Sequence, residues 1–308
     1  MHIAIFGSTS QIAKDLIELF NETEHQLTLF ARRPAVVETW LTSINILGRY
    51  PVHHFDDFSH ELAFDAIINF VGVGNPAQAA AMGATIFDAT LIYDQLALNY
   101  LQAHPTCKYL FLSSGAVYGG NFDEPVDHHS IARTNVNNLK PQDWYGAAKL
   151  HAECRHRALN HLSIIDIRVF NYVSRTQDLS ARFLITDIFR AIRNQERLEC
   201  SDENIVRDFI HPSDFFVLVN ILLSTENLNT VVDCYSKAPI DKLTLLEVMR
   251  EKFGLQFATI PTQTGVDATG AKRNYYSLNK LAGKYGYEPV FTSLLGIQEE
   301  FRALLKIN

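Results

Sequence analysis

The 308-residue chain has only four cysteines, Cys107, Cys154, Cys200 and Cys234, spaced 34 to 47 residues apart. With no CxxC pair, neither a zinc knuckle nor a disulfide framework is expected, and a reducing, cytoplasmic setting fits. Glycine and proline together supply 25 residues, too few for a collagen-like repeat or a linker-rich chain. Basic residues are in deficit, with 27 Lys and Arg against 34 Asp and Glu and a net charge of −7. Nucleic acid and anionic membranes both demand a basic face, so neither is an expected partner. Long apolar runs are missing as well: residues 215–223 are interrupted by Asn220 and fall far short of the ~20 residues of a membrane span. Met1 leads directly into strand-like sequence, without the basic segment and apolar core of a signal peptide. Internal repeats are absent.

What is present is a globular composition, 47% hydrophobic and 20% charged. Short runs rich in Ile, Phe and Val alternate with longer amphipathic segments, the pattern of a doubly wound parallel sheet with helices on both faces, an α/β Rossmann-type fold. Strands are expected at 2–6, 26–30, 66–71, 109–113 and 164–169. Helices are expected at 11–20, at 86–103, and from Asp143 through the 150s with Asp143 as N-cap. After about residue 172 the rhythm changes. Residues 173–180 are polar, and helices at 179–194, 212–223, 243–253 and 292–305 with a strand at 231–234 suggest a smaller substrate lobe. The expected division is 1–172 for the dinucleotide-binding domain and 173–308 for that lobe, some of whose elements return to the first domain.

The first strand runs into Gly7-Ser8-Thr9-Ser10-Gln11-Ile12-Ala13, at the GxxGxxG spacing but with Ser10 and Ala13 in the second and third glycine positions. This order sets backbone N–H groups at a helix N-terminus, where a pyrophosphate is stabilised, so Gly7, Thr9, Ser10, Gln11 and Ile12 are candidate cofactor contacts. At the end of the second strand stand Arg32 and Arg33, where preference for NAD usually calls for a carboxylate. A guanidinium pairs with a 2′-phosphate through bidentate hydrogen bonds, so NADP is preferred and NAD is the alternative. At least one of the two arginines is equally well read as a solvated surface group. Asp56 and Asp57, between the strands at 26–30 and 66–71, are placed to reach an adenine. Val71, Gly72 and Gly74 end the strand at 66–71, where the glycines permit close backbone approach or simply make a turn.

Tyr145 and Lys149 share a helix face at i and i+4. A nearby ammonium favours the phenolate and brings the phenol toward the range of a neutral-pH acid or base. Upstream, residues 109–119 read as a buried strand ending in Ser113, Ser114 and Gly115, and strand C-termini are where ligands sit in such sheets. A metal site at His53-His54 or His128-His129 is not expected, since adjacent residues point apart and no ligand interval follows.

With these motifs, together with Arg168 to Asn171 (RVFN), Arg207 to Asp214 (RDFIHPSD), Ser277 to Lys280 (SLNK) and Tyr285 to Pro289 (YGYEP), nearly the whole chain resembles the extended short-chain dehydrogenase/reductase superfamily, in its nucleotide-sugar epimerase, dehydratase and reductase branch. The resemblance implies a catalytic set of Ser114, Tyr145 and Lys149, with Tyr145 moving the proton and Lys149 also holding the nicotinamide ribose. It implies that Ser113 and Phe170 lie by the nicotinamide, and that Ser114, Gly115, Asn171 and Arg207 meet a nucleotide-sugar, the last two through its diphosphate. His211 and Asp214 are open between a role in the site and plain ones, packing for His211 and helix capping for Asp214. A homodimer through the Tyr145 helix and its neighbour is expected of the family.

The departures carry information too. Dehydratases of this branch place an Asp-Glu pair directly after the catalytic hydroxyl residue; Gly115-Ala116 stands here, which disfavours 4,6-dehydration. The arginine that contacts the nucleotide ribose in relatives has no clear match in 267–270, leaving Lys272 or Arg273 as substitutes. Thr90 stands where relatives carry an Asn in the fourth helix. The main expectation is NADPH-dependent reduction of a 4-keto nucleotide-sugar. The alternatives are a 4-epimerase that recycles NAD and a non-catalytic NADP(H) sensor.

Overall fold

The computed structural model describes residues 1–73, 79, 81–261 and 272–306. Strands occur at β1 (His2–Phe6), β2 (Gln26–Phe30), β3 (Val52–His53), β4 (Ala66–Asn69), β5 (Lys108–Ser114), β6 (Ile164–Val169), β7 (Asn171–Tyr172), β8 (Arg197–Ser201), β9 (Val206–Arg207), β10 (Phe209–Ile210), β11 (Thr230–Asp233), β12 (Ile240–Asp241), β13 (Gln256–Ile260) and β14 (Asn274–Tyr275). The helices are α1 (Gln11–Phe20), α2 (Pro34–Ser43), α3 (Thr85–Ala103), α4 (Trp144–Ala158), α5 (Leu184–Asn194), α6 (Pro212–Ser224), α7 (Lys242–Phe253) and α8 (Ser293–Leu305). Among the described residues, seven strands form the main sheet in the order β3-β2-β1-β4-β5-β6-β11, every pair parallel. This is the Rossmann-type arrangement, and the order reverses between β1 and β4, which opens a crevice at their C-terminal ends.

The period-2 alternation of side chains divides each strand between two layers. Ile3 and Ile5 join Leu27, Leu29, Ile165 and Ile167 beneath α1, α2 and α6. Ala4 and Phe6 join Phe30, Ile67, Tyr109, Phe111 and Ile164 beneath α3 and α4. Each such large side chain, once buried, contributes roughly 1.5–3 kcal/mol. Val173, Phe189, Phe209, Leu246, Ile297 and Phe301 are among the residues of a separate apolar cluster formed by α5, α7 and α8.

The second layer also contains a buried polar pin. His156 of α4 lies between Asp166 of β6, 2.6 Å from Nδ1, and Asp94 of α3, 2.7 Å from Nε2. The Tyr109 hydroxyl of β5 donates to Asp94 at 3.0 Å and accepts from the Asn69 amide of β4 at 2.8 Å. Burial alone would push the His156 imidazole down; the carboxylates on either side outweigh it and raise it to about 9. Two helices and three strands are thereby locked in one register.

Several elements differ from expectation for identifiable reasons. Strand β4 stops at Asn69 because the Asn69 carboxamide accepts the Val71 N–H at 2.8 Å and turns the chain. Helix α5 begins at Leu184, five residues late. Asp178 caps Ser180 in a turn, and the Arg190 guanidinium takes the carbonyls of Leu179 and Ala181. Asp143 does not cap α4: its carboxylate accepts the Lys140 N–H at 3.0 Å, closing the preceding turn. Helix α6 and strand β11 lie beyond residue 172 yet belong to the sheet, since β11 pairs with β6 and α6 packs on α1. Among the described residues no helix is long and apolar enough to cross a membrane.

Because the folded pKa of His156 is raised, its stabilisation is fully present below the ordinary histidine value of 6.5 and is lost as pH rises through about 9. The thermal midpoint should therefore fall between those values, by a loss on the order of 3 kcal/mol. In His156→Gln the midpoint should be lower throughout and this pH dependence should vanish, as checked by melting curves across the range.

Candidate active site

The crevice is floored by the turn after β1. Gly7 has φ +77°, and a Cβ there would lie 2.9 Å from the Val71 nitrogen, so only glycine fits. Ser10 occupies the N-cap position of α1, but its side chain makes no cap hydrogen bond and the first turn holds no acidic residue. The leading N–H groups therefore face the crevice beside Thr9, Gln11 and Ile12 with positive dipole uncompensated. The Gln11 Nε2 is buried with no hydrogen-bond partner. An orphaned donor and an uncapped helix N-terminus fit a dinucleotide pyrophosphate.

Arg32 and Arg33 are exposed just beyond the C-terminal end of β2. Asp56 and Asp57 sit in the short helical turn Phe55–Asp57 after β3; Asp57 accepts the His54 N–H and Asp56 lies 3.1 Å from the His54 ring. Gly72 serves a different purpose from close approach to a ligand: a Cβ there would lie 3.2 Å from the Lys149 Nζ, so the space it leaves belongs to the ammonium. Gly74 and residues 267–270 lie outside the described residues.

Helix α4 carries Tyr145, Lys149 and Glu153 at i, i+4 and i+8, a single stripe. Lys149 is buried, donates to the Leu112 carbonyl at 2.8 Å and the Val71 carbonyl at 3.4 Å, and lies 4.3 Å over the Phe111 ring. Burial lowers it to about 8, so it stays mainly charged at neutral pH. Burial raises the Tyr145 phenol, and the Ser114 hydroxyl acts in the opposite direction. Glu153 accepts from Ser113 at 2.5 Å and forms a two-pronged pair with Arg168, at 3.0 and 2.5 Å. Arg168 reaches Asp233 of β11 at 3.8 Å, and Asp233 accepts the hydroxyls of Tyr118 and Ser277.

The opposite wall is aromatic. Phe170 packs against Tyr118, Phe122 and Tyr275. A Cβ on Gly115 would lie 2.4 Å from the Phe170 ring, so the residue after Ser114 is small because that ring fills the space. The Tyr275 hydroxyl lies 3.4 Å from Ser114 Oγ, which also accepts the Ala116 N–H at 3.2 Å. The Asn171 amide donates to the carbonyls of Asp208 at 3.1 Å and Tyr275 at 3.5 Å, bracing this wall. Arg207 and Lys272 stand over the Tyr275 ring at 5.9 and 4.5 Å. Burial, then the nearby Arg207 cation, lowers Lys272 to about 8.

Ser113, Ser114, Gly115, Tyr145, Lys149 and Phe170 are thus brought together, with Arg207 and Asn171 at the rim. His211 and Asp214 play other parts. His211 caps α6 through Ser213 and contacts Glu300 at 3.2 Å, while Asp214 accepts the N–H groups of Val290 and Phe291 instead of capping the helix. Thr90 turns its hydroxyl back onto the Ile86 carbonyl of its own helix. Sequence reasoning missed Glu153 and Tyr275. Glu153 was detectable as the next residue of the Tyr145 and Lys149 stripe; Tyr275 lies two residues before the Ser277 motif, where nothing in spacing marks it.

The parallel sheet, the uncapped α1 turn and the Ser114, Tyr145 and Lys149 set define an extended short-chain dehydrogenase/reductase of the nucleotide-sugar epimerase, dehydratase and reductase branch. Residues 3–232 match the model of the NAD dependent epimerase/dehydratase family, and the chain belongs to that family. A 114-residue stretch is 32% identical to UDP-glucose 4-epimerase 4 of Oryza sativa subsp. japonica, covering 36% of this chain and 29% of that relative, so the match spans under a third of the relative's length. Solved structures with the same fold include dTDP-glucose 4,6-dehydratase from Bacillus anthracis with NAD (TM-score 0.79, 16% identity, 100% of this chain and 97% of that one). UDP-glucose 4-epimerase from Thermotoga maritima with UDP-glucose is similar as well (0.79, 16%, 99% of both chains). So is UDP-N-acetylglucosamine 4-epimerase from Methanobrevibacter ruminantium with UDP-N-acetylmuramic acid (0.81, 16%, 99% and 97%).

Gly115→Ala tests the packing of the wall. The added methyl group should displace Phe170 and cost roughly 1–3 kcal/mol, lowering both the thermal midpoint and turnover, whereas Ala116→Gly at the next position should leave the Phe170 contact in place.

Proposed function

We propose that the protein is a nucleotide-sugar 4-epimerase that keeps NAD through its cycle. The observation that carries this reading is the pairing of Ser114 and Tyr145 next to Gly115 and Ala116: the hydroxyls for an oxidation and reduction at one carbon are present, and the two adjacent positions lack the carboxylates that eliminating water requires. Membership of the NAD dependent epimerase/dehydratase family and the 4-epimerases among proteins of the same fold support it. NADPH-dependent reduction, the main expectation from sequence, draws no such support from those relatives.

The α1 turn with Thr9, Gln11 and Ile12 would hold the pyrophosphate, Asp56 or Asp57 the adenine end, and Lys149 the nicotinamide ribose. Bound there, NAD would supply the hydride chemistry for oxidising and re-reducing the sugar at its C4–H bond. Tyr145 takes the proton from the C4 hydroxyl as the carbon is oxidised and gives it back when the turned ketone is reduced. Ser114 donates to the same oxygen, and the Lys149 charge favours the phenolate that Tyr145 needs as a base. Arg207 and Lys272, two cations on one rim, suit the diphosphate of the substrate. A homodimer through α3 and α4 belongs to the same reading, with Leu91 and Ile92 exposed on α3.

One observation favours a second reading. Arg32 and Arg33 stand exposed where a 2′-phosphate would sit, which suits NADPH and a reductase that exchanges its cofactor. The two are separated by incubating the protein with NAD or NADPH and a panel of 4-hydroxy and 4-keto UDP- and dTDP-sugars. Isomer formation without net cofactor turnover supports the epimerase; stoichiometric loss of NADPH absorbance selects the reductase; neither, with cofactor bound, points to a sensor. Tyr145→Phe should reduce turnover by about 10²–10⁴-fold and leave dinucleotide affinity near the parent value. In Arg32→Ala and Arg33→Ala, the epimerase reading expects NAD affinity to be unchanged, and any selective loss of NADPH binding would favour the reductase.

A further inference from the structure

We infer that Glu153 is a positioning residue that acts through Lys149: its carboxylate, fixed one turn further along α4, keeps the buried Lys149 ammonium charged. The inference rests on the reading of Lys149 as the cation that favours the Tyr145 phenolate. Lys149 and Glu153 stand at i and i+4 of α4, a spacing that makes side chains neighbours on one face. Their ends are anchored to consecutive residues of β5: Lys149 Nζ donates to the Leu112 carbonyl at 2.8 Å, and Glu153 Oε1 accepts from the Ser113 hydroxyl at 2.5 Å. The same strand thus holds the ammonium and the carboxylate in one layer.

A second buried cation shares this layer. Arg168 on β6 lies opposite Ser113 in register and binds both oxygens of Glu153, at 3.0 and 2.5 Å, while it extends away from β5 toward Asp233 of β11 at 3.8 Å. The ion pair therefore turns its negative end toward Lys149. A guanidinium keeps its proton throughout the working range, so the cation that would yield without Glu153 is Lys149. Burial lowers Lys149 to about 8, and the carboxylates of Asp94, Asp166 and Glu153 act in the opposite direction. Asp94 and Asp166 are both engaged by His156, and further by Arg155 and Arg157, which offsets their charge. Tyr145 completes the stripe on the other side of Lys149. Lys149 loses its charge as pH rises through its pKa, so any further lowering brings that loss into the neutral range.

Glu153→Gln keeps the shape of the side chain and removes its charge. Lys149 should then titrate lower by about 1 unit or more, the effect of one charge a helical turn away. Glu153→Gln with Arg168→Met removes the second cation as well, and Lys149 should return part of the way toward the parent value. The readout is the Cε resonance of Lys149 in cofactor-free protein carrying ¹³C-labelled lysine, assigned by its absence in Lys149→Met and followed by NMR against pH. A merely structural pair would give no recovery, because the double variant breaks the same contacts. No shift in Glu153→Gln, or an undiminished shift in the double variant, would overturn the inference. Should Glu153→Gln fail to fold, the double variant decides alone: Lys149 below the parent value supports the inference, and Lys149 at or above it sinks it. With any nucleotide-sugar that is turned over, the alkaline limb of kcat should move to lower pH in Glu153→Gln and back toward the parent in the double variant. The titration needs neither cofactor nor substrate, so a failed titration counts against Glu153, whereas an unmoved alkaline limb beside a shifted Lys149 counts against the role read for Lys149.

Discussion

The site depends on one buried ion pair, that between Glu153 and Arg168. Glu153 is the third residue of the α4 stripe that begins with Tyr145, and its carboxylate grips Ser113 at the tip of β5 and Arg168 on β6. Arg168 in turn faces Asp233 on β11, which receives Tyr118 and Ser277. A pair placed this deep gains little net stability over an apolar pair of the same shape, because both charges lose their water. Its value is geometric. Removing either partner strands a charge, so helix, strands and the returning C-terminal segment are held to one arrangement.

Around this anchor the chain uses two further devices to set charges near the hydroxyls of Ser114 and Tyr145. Lys149 is buried against two carbonyl oxygens and the face of Phe111, and the carboxylates of Asp94, Asp166 and Glu153 offset part of the burial that lowers it. The far wall is built of rings, and Arg207 and Lys272 stand over Tyr275. Lys149, Arg207 and Lys272 thus place positive charge on both walls of the crevice although the chain as a whole is acidic. The overall acidity of the chain therefore says nothing about its ligand.

Much of the sheet was legible because alternation and burial agree there: β1, β2 and β6 and helix α1 lie where the apolar pattern puts them. The Ser114, Tyr145 and Lys149 set was legible because a helix fixes i and i+4 and a parallel strand fixes its own C-terminus. The rest depends on contacts between distant residues. The start of α5 is decided by an arginine reaching back to two carbonyls, Asp143 is drawn to the turn before its helix, and β11 finds β6 across more than sixty residues of chain. Tyr275 could not be read at all, since what makes it part of the site is Ser114, 161 positions earlier.

That separation bears on how the protein is made. Ribosomal synthesis delivers β1 to β6 and α4 long before residues 230–233 and 274–277 emerge, so the early chain can pair six strands of the sheet while Arg168 waits for Asp233 and Ser114 for Tyr275. Contacts this distant are closed late, at an entropic cost that grows with the loop they close. The nascent sheet thus presents a nearly formed crevice whose aromatic wall still lacks Tyr275, and that wall is completed only when the last quarter of the chain folds back onto it.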